Sequence, residues 1–164
     1  MVVTFCGHRE PIYNKSKIFA LRRAIEKVIN NGATEFWLGG YGSFDLISAS
    51  NLQDLKNTNS RFKTVFITPY VDRIYDMDLY DFSLYPPIEH IPLKFAITER
   101  NKWMIRNADI LISGVIRSYG GAAKALNYAK HLGKDIISVY DNNEIWTATS
   151  KNKSGFLSKT TFYF

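Results

Sequence analysis

A short apolar segment followed by a glycine pair constrains the fold of this chain more than any other feature. Residues 109–113 are mainly apolar between polar neighbours, and a helical pattern begins at Gly120 and Gly121. We therefore predict a buried strand that leads into a helix through a loop. Glycine lets a ligand come close to the backbone, and the unpaired N–H groups of a first helical turn attract anions. The segment predicts a phosphate site at Gly120, Gly121 and Ala122.

Two more glycine-containing loops follow predicted strands earlier in the chain. Residues 2–6 and 35–38 are rich in the β-branched, aromatic and other apolar side chains that favour strands. The loops after these strands carry glycines and polar residues, namely Gly7, His8, Arg9, Gly39, Gly40 and Gly42. Three such junctions in one chain indicate a ligand site rather than an isolated turn.

Strand and helix patterns alternate along most of the chain. We predict strands at residues 2–6, 35–38, 63–68, 109–113 and 135–140. We predict helices at residues 16–30, 43–56, 98–106 and 122–132, the first with Ser16 as its N-cap. The alternation predicts an α/β, Rossmann-like, doubly wound fold with a mainly parallel sheet and helices on both faces. We expect a single domain over residues 1–164, with a core at about 1–140 and an irregular tail or edge strand at 141–164.

The segment between residues 69 and 92 has no clear period and is rich in tyrosine. The tyrosines alternate with acidic residues and are Tyr70, Tyr75, Tyr80 and Tyr85. A loop of this length in a compact domain is usually functional or mobile, and aromatic rings with polar tips can close over a planar ligand. Packing of the tyrosines against the domain explains the pattern equally well, and the sequence leaves both interpretations open.

Charge and composition restrict the class of partner. The chain has 21 Lys and Arg against 15 Asp and Glu, a net charge of +6, which suits polyanions such as nucleotides and nucleic acids. Its single cysteine cannot form an internal disulfide, and no apolar run approaches the length of about 20 residues that crosses a membrane. We therefore expect a cytoplasmic protein with no membrane partner. No cysteine pair or His-x-x-x-His pattern indicates a metal site, so we predict none.

The strand-to-helix loops of a parallel sheet lie at one edge, so we expect the three glycine loops to share one site. His8 supplies a titratable donor, and Arg9 a planar fork that suits phosphate. Asp45, just inside the second helix, can accept hydrogen bonds from a ribose or a base, or serve the first turn of its own helix. Arg100 is expected to reach the same edge. Glu99 is a candidate general acid or base, but adjacent helical residues do not share a face.

Taken together, these motifs resemble the Rossmann-like SLOG superfamily. A first strand ends in Gly-His-Arg at residues 7–9, and a second ends in Gly-Gly-x-Gly-x-Phe-Asp at residues 39–45. The pattern Arg-Asn-x-x-Met-Ile-x-x-Ala-Asp at residues 100–109 precedes a Gly-Gly-Ala turn at residues 120–122. The resemblance covers about residues 1–140 and is closest to small bacterial proteins of the YpsA/DUF1273 type. It implies a pocket for a nucleotide or an ADP-ribose-like molecule.

The superfamily also contains the LOG phosphoribohydrolases, whose last glycine turn reads Pro-Gly-Gly-x-Gly-Thr-x-x-Glu. Here residues 118–125 read Ser-Tyr-Gly-Gly-Ala-Ala-Lys-Ala. Arg100 matches the family arginine, whereas the catalytic Glu is absent unless Glu99 replaces it. We therefore expect a nucleotide-binding sensor or regulatory protein, with an AMP-, ADP-ribose- or NAD-like ligand and no required cofactor. In this interpretation Gly120 and Gly121, with Arg9 and Arg100, hold phosphate, and His8 and Asp45 orient the sugar.

Two alternative functions stay open at this point. One is LOG-like hydrolysis of the N-glycosidic bond of nucleoside monophosphates, with Arg100 and Glu99 as the catalytic pair. The other is binding of single-stranded nucleic acid, as in the DNA-processing protein DprA of the same superfamily, which the net positive charge favours. The sequence also leaves open whether the chain forms a homodimer.

Overall fold

Seven strands form one sheet in the computed structural model, which describes residues 1–9, 14–58 and 61–140 and the backbone of residues 145 and 146. The strands are β1 (Val2–Gly7), β2 (Glu35–Leu38), β3 (Lys63–Ile67), β4 (Phe82–Leu84), β5 (Ile110–Gly114), β6 (Asp135–Ser138) and β7 (Ile145–Trp146). The helices are α1 (Lys15–Asn30), α2 (Ser43–Lys56), α3 (Ala96–Asn107) and α4 (Gly120–His131), and a short 3₁₀ helix (Leu93–Phe95) precedes α3.

The strand order places a topological switch point beside β1. The order is β4-β3-β2-β1-β5-β6-β7; the first six strands are parallel and β7 is antiparallel to β6. Because the chain runs outward from β1 to β2 on one side and returns to β5 on the other, a crevice opens at the carboxyl end of β1. The predicted α/β doubly wound fold is confirmed.

Helices cover both faces of the sheet. α1 contacts α2, and α3 contacts α4. The face of α1 that carries Leu21, Ile25 and Val28 is fully buried and belongs to the same apolar cluster as Phe36 of β2. A second cluster joins Ile105 of α3 to strands and to α4. Burial of such side chains stabilises the fold by about 1.5–3 kcal/mol each.

Several element boundaries differ from the sequence prediction. α1 begins one residue before Ser16, and its N-cap is Asn14, whose side-chain oxygen accepts from the N–H of Lys17 at 3.0 Å. Asn and Ser are equally favourable N-cap residues, so residue type alone could not show which of the two caps the helix. α3 begins at Ala96 rather than at Thr98, because the preceding 3₁₀ turn runs directly into it.

The tyrosine-rich segment contacts the domain through Tyr75 and Tyr80 and adds an edge strand that the sequence did not predict. The backbone of β4 pairs with β3, and the three residues of β4 are exposed. The rings of Tyr75 and Tyr80 lie 4.7 and 5.2 Å from the ring of Phe66 in β3. The segment therefore anchors itself on the end of β3, next to the crevice.

The predicted tail at residues 141–164 lies mostly outside the described residues. Within it, only the backbone pairing of β7 with β6 is defined, with Trp146 opposite Ile136. Among the described residues, every helix is too short or too polar to cross a lipid bilayer.

Candidate functional site

A cavity of about 310 Å³ opens at the carboxyl edge of the sheet, around the end of β1. Its walls come from the loops after β1 and β2 and from the helices α2, α3 and α4. The lining residues are Phe5, Cys6, Gly7, His8, Arg9, Gly39, Tyr41, Asp45, Ile97, Arg100, Asn101, Met104, Ile105, Gly121, Ala122 and Ala125. The structure thus brings all three predicted junctions to one cavity.

Most of the predicted site residues lie in this cavity, and some do not. Those that line it are Gly7, His8, Arg9, Gly39, Asp45, Arg100, Gly121 and Ala122. The predicted ligand contacts Gly40, Gly42 and Gly120 and the candidate acid Glu99 are not lining residues. Gly120 nevertheless immediately precedes Gly121, so it belongs to the wall-forming turn.

Arg100 is the most deeply buried polar residue of the site, with 1% of its surface exposed. Its Nη1 donates to the carbonyl oxygen of Ile67, at the end of β3, at 2.6 Å. Its guanidinium lies 5.3 Å from the centre of the Tyr41 ring, within cation–π range. Its Nε is buried and has no hydrogen-bond partner among the described residues. Burial lowers the pKa of Arg100, and the nearby charge of Asp45 opposes that shift.

The absence of a side chain at Gly39 leaves room for the guanidinium of Arg100. A Cβ at residue 39 would lie 2.3 Å from Nη1 and 2.7 Å from Cζ of Arg100. The guanidinium cannot easily move aside, because it is buried and bonded to Ile67. The absence of a side chain at Gly39 therefore leaves the space that the guanidinium of Arg100 occupies.

Other predicted ligand-facing glycines also make room for protein atoms. A Cβ at Gly7 would lie 2.2 Å from the ring of Phe44, the buried residue of the first turn of α2. Gly40 lies against Phe66, and Gly42, with φ of +101°, lies against the backbone of Arg9. The absence of side chains at these glycines allows the loops to pack together, and their contact with a ligand stays a prediction.

Asp45 places a carboxylate in the cavity wall beside Arg100. Burial raises the pKa of Asp45 to about 6, while the charge of Arg100 and the backbone N–H groups of Tyr41, Gly39 and Gly40 act in the opposite direction. The Asp45 carboxylate places a negative charge at the cavity wall beside the loop after β2, which disfavours a phosphate there, and its oxygens suit hydrogen-bond donors of a ligand.

His8 connects the first loop to the third. Its Nε2 accepts from the backbone N–H groups of Ile116 at 3.1 Å and Arg117 at 3.0 Å. An imidazole nitrogen that accepts is unprotonated. Burial, together with the positive charge of Arg117, lowers the pKa of His8 and favours this neutral form. His8 thus positions the loop that leads into α4.

The first turn of α4 offers free backbone N–H groups to the cavity. Its N-cap is Tyr119, which makes no side-chain capping bond. Gly121 and Ala122 line the cavity, and a Cβ at Gly121 would meet nothing within 4 Å. Of the three glycines that line the cavity, Gly121 is the one whose neighbouring space is open. The N-terminal end of a helix also carries partial positive charge, so this turn suits an anionic group.

Glu99 lies on another side of α3 from Arg100. Its carboxylate forms an ion pair with Nζ of Lys102 at 2.7 Å. Of these two neighbours, Arg100 lines the cavity and Glu99 does not. The carboxylate that does line the cavity is Asp45.

Sequence analysis did not identify several lining residues as functional. Ile97 lies three residues before Arg100 on α3 and Met104 four residues after it, so the helical period centred on Arg100 could have found both, whereas it does not predict the adjacent Asn101. Tyr41 lies inside the second glycine motif, and its hydroxyl lies 3.3 Å from that of Tyr75. Burial, followed by the contact with Tyr75, raises the pKa of Tyr41 to about 12.

Cys6 forms part of the cavity floor as a buried thiol. Its Sγ donates to Oγ of Ser113 on the neighbouring strand at 3.7 Å. Burial raises the pKa of Cys6 to about 12, so the thiol stays protonated. Among the described residues, no group of three or more His, Cys, Asp and Glu side chains is arranged to hold a metal ion.

Comparison with solved structures places this architecture among Rossmann-like proteins. DprA from Streptococcus pneumoniae is 20% identical with a TM-score of 0.60, over 86% of this chain and 52% of that one. DprA from Helicobacter pylori is 20% identical with a TM-score of 0.58, over 84% of this chain and 64% of that one. The molybdenum cofactor binding protein from Rippkaea orientalis is 14% identical with a TM-score of 0.56, over 84% of this chain and 74% of that one.

These similarities establish the fold. The chain has the Rossmann-like fold of the two DprA chains and spans less than two thirds of their length. The Helicobacter protein is described by its single-stranded DNA binding mode. No protein-family model matches the sequence, and no curated protein matches it.

Proposed function

We propose that the protein binds a nucleotide or nucleotide derivative in the cavity at the carboxyl edge of the sheet. The observation that carries the proposal is the buried guanidinium of Arg100 in the wall of a cavity that the uncapped first turn of α4 also lines. A buried charge in a wall is costly unless something compensates it, and the cavity offers a ligand both a charged end and a helix N-terminus.

The electrostatic balance of the cavity favours an anion. Two lining side chains, Arg9 and Arg100, are cationic, and one, Asp45, is acidic. The α4 terminus adds partial positive charge without a counter-charge in its own first turn. A phosphate placed at Gly121 and Ala122 meets backbone N–H groups at the positive end of α4.

The size of the cavity favours a mononucleotide. Small-molecule sites occupy about 300–1,000 Å³, and this cavity, at about 310 Å³, lies at the lower limit. One base with its sugar and phosphate fits that space. The second half of an ADP-ribose- or NAD-like ligand would extend past the exposed side chain of Arg9.

A binding or sensing role is favoured over catalysis. The candidate acid Glu99 is paired with Lys102 and does not line the cavity. A positioned acid or base typically contributes about 10²–10⁴-fold to a reaction rate, so the position of Glu99 outside the cavity disfavours catalysis. The proposed affiliation is with the YpsA-type proteins of the SLOG superfamily, on the motifs at residues 7–9, 39–45 and 100–109.

Calorimetric titration with AMP, GMP, ADP-ribose, NAD and cyclic nucleotides tests the proposal. We expect at least one nucleoside 5′-monophosphate to bind with 1:1 stoichiometry, and the corresponding nucleoside without phosphate to bind at least tenfold more weakly. Inorganic phosphate controls for simple ion binding. The absence of heat with every nucleotide, in protein whose circular dichroism shows it folded, would contradict the proposal.

Binding of single-stranded nucleic acid is the second candidate function. The fold shared with the Helicobacter DprA and the net charge of +6 favour it. It predicts binding of a labelled oligonucleotide that weakens steeply as salt is added. Failure to bind at low salt would eliminate it. Release of free base from a monophosphate would instead support the hydrolase alternative, with Glu99→Gln as its variant.

A further inference from the structure

Arg100 and the first turn of α4 are held at the cavity by different strands. Arg100 bonds to the end of β3 and touches Gly39 at the end of β2, whereas α4 follows β5, on the other side of β1 in the strand order. The strands β2 and β5 are two strand spacings, on the order of 10 Å, apart. With the phosphate of a nucleotide at the α4 turn, Arg100 is available to the part of the ligand remote from the phosphate.

Asp45 determines which end of a nucleotide lies beside Arg100. A phosphate monoester carries a charge of about −1.5 to −2 at neutral pH, and a carboxylate in the adjacent wall repels it. The charge of Asp45 also offsets that of Arg100, since each alters the pKa of the other. The phosphate is therefore directed to α4, and the base to the Asp45–Arg100 end.

The apolar part of the cavity wall suits a planar heterocycle. Phe5, Met104, Ile105 and Ala125 line the cavity with apolar surface. A nucleobase has apolar faces and a polar edge, so its faces match these walls and its edge matches a carboxylate beside a guanidinium. A sugar, with hydroxyls on all sides, matches them less well.

We infer that the cavity selects a base of the guanine type, with Asp45 and Arg100 as the residues that read its edge. The inference rests on the proposed nucleotide function. An ionised carboxylate accepts two parallel N–H bonds, and guanine presents two adjacent donors, N1–H and the 2-amino group, next to the acceptor O6. Arg100 donates to O6. Adenine offers one donor at the corresponding edge, and hypoxanthine lacks the 2-amino group.

Titration of the wild-type protein with GMP, IMP and AMP is the first test. A hydrogen bond to a charged group contributes enough to change affinity by about 10- to 100-fold. We expect GMP to bind at least tenfold more tightly than IMP, and AMP to bind more weakly than GMP. Equal affinities for GMP and AMP would overturn the base assignment but leave the nucleotide function standing. Failure of all three to bind would contradict the nucleotide function itself.

Asp45→Asn is the second test, with Asp54→Asn as its matched control. Both aspartates lie on α2, but Asp54 is exposed and is not a lining residue of the cavity. We expect Asp45→Asn to abolish the preference for GMP over IMP, and Asp54→Asn to retain it. An Asp45→Asn variant that weakens all three nucleotides equally would contradict the inference. The wild-type comparison of GMP with IMP needs no variant, so it decides the question if Asp45→Asn does not fold.

Discussion

Arg100 occupies the space that a side chain at residue 39 would fill. A Cβ on Gly39 would lie 2.3 Å from Nη1 of Arg100, and the same Nη1 is held by the carbonyl oxygen of Ile67 at 2.6 Å. A glycine at the end of β2 thus permits a guanidinium from α3 to reach the end of β3. The charged end of the cavity exists because of this contact between two residues that are 61 positions apart in sequence.

Gly39→Ala is expected to destabilise the protein and to weaken ligand binding. The added methyl group forces the buried guanidinium of Arg100 away from Ile67, and overpacking of this kind costs about 1–3 kcal/mol. Urea denaturation gives the change in the free energy of unfolding. Gly121→Ala is the control, because a Cβ there meets nothing within 4 Å. Equal stability of the Gly39→Ala variant and the wild type would show that Arg100 can relocate freely.

Gly121→Ala is expected to separate ligand binding from stability. The methyl group enters open space at the cavity wall, so the unfolding free energy stays unchanged or rises by up to about 1 kcal/mol, as helix propensity predicts. A phosphate at the α4 turn would meet the same methyl group, and we expect nucleotide affinity to fall at least tenfold. Calorimetric titration of the folded variant measures this affinity. Unaltered affinity would place the phosphate elsewhere.

Asp45 and Arg100 are expected to be energetically coupled. Asp45→Asn and Arg100→Met each remove one charge of the pair and leave the other partly desolvated. In a double-mutant cycle without ligand, residues that interact through one charge network or a shared cavity couple by about 0.5–3 kcal/mol. We expect the double variant to be more stable than the sum of the single changes predicts. Strict additivity would mean that the two charges do not interact.

His8→Leu is expected to loosen the loop before α4. The change removes the acceptor of the Ile116 and Arg117 N–H groups, which costs about 1–3 kcal/mol when the donors stay without a partner. We also expect weaker nucleotide binding, since this loop positions Gly121. The same substitution at His90, an exposed histidine, serves as the control. Retained stability and affinity in the His8→Leu variant would show that the loop holds its position without His8.

The contribution of His8 to the stability of the folded protein is also expected to depend on pH. Its pKa is lowered in the folded protein, so the unfolded chain binds a proton first as the pH falls. The stabilisation is fully present above the unfolded value of about 6.5 and is lost as the pH falls through the lower folded value. The stability difference between the wild type and His8→Leu should therefore shrink below about pH 6.5. A difference that is constant from pH 7.5 to 5 would contradict this assignment.

The fold was predictable because local patterns and sheet topology agree. Apolar segments such as residues 109–113, each followed by a helical period, define a parallel sheet whose loops meet at one edge. The boundaries of β2 and α2 were predicted to the residue. β4 was not predicted, because three exposed residues in an aperiodic segment give no burial pattern.

The roles of individual site residues depended on contacts that a linear sequence does not contain. Gly7, Gly39 and Gly42 were interpreted as ligand-facing, yet each accommodates a protein group from another element. The use of His8 as an acceptor depends on two N–H groups more than 100 residues away. The motif identified which residues matter, and the packing determined what each one contacts.

A crystal structure of the protein with GMP tests the central claim most directly. We expect phosphate oxygens within hydrogen-bond distance of the N–H groups of Gly121 and Ala122, and the base edge against Asp45 and Arg100. A nucleotide bound outside this cavity would contradict the account, for example in the groove between α1 and α2 that Phe19 and Asp54 line. A nucleotide in the cavity with its phosphate on Arg100 would retain the site but reverse the orientation.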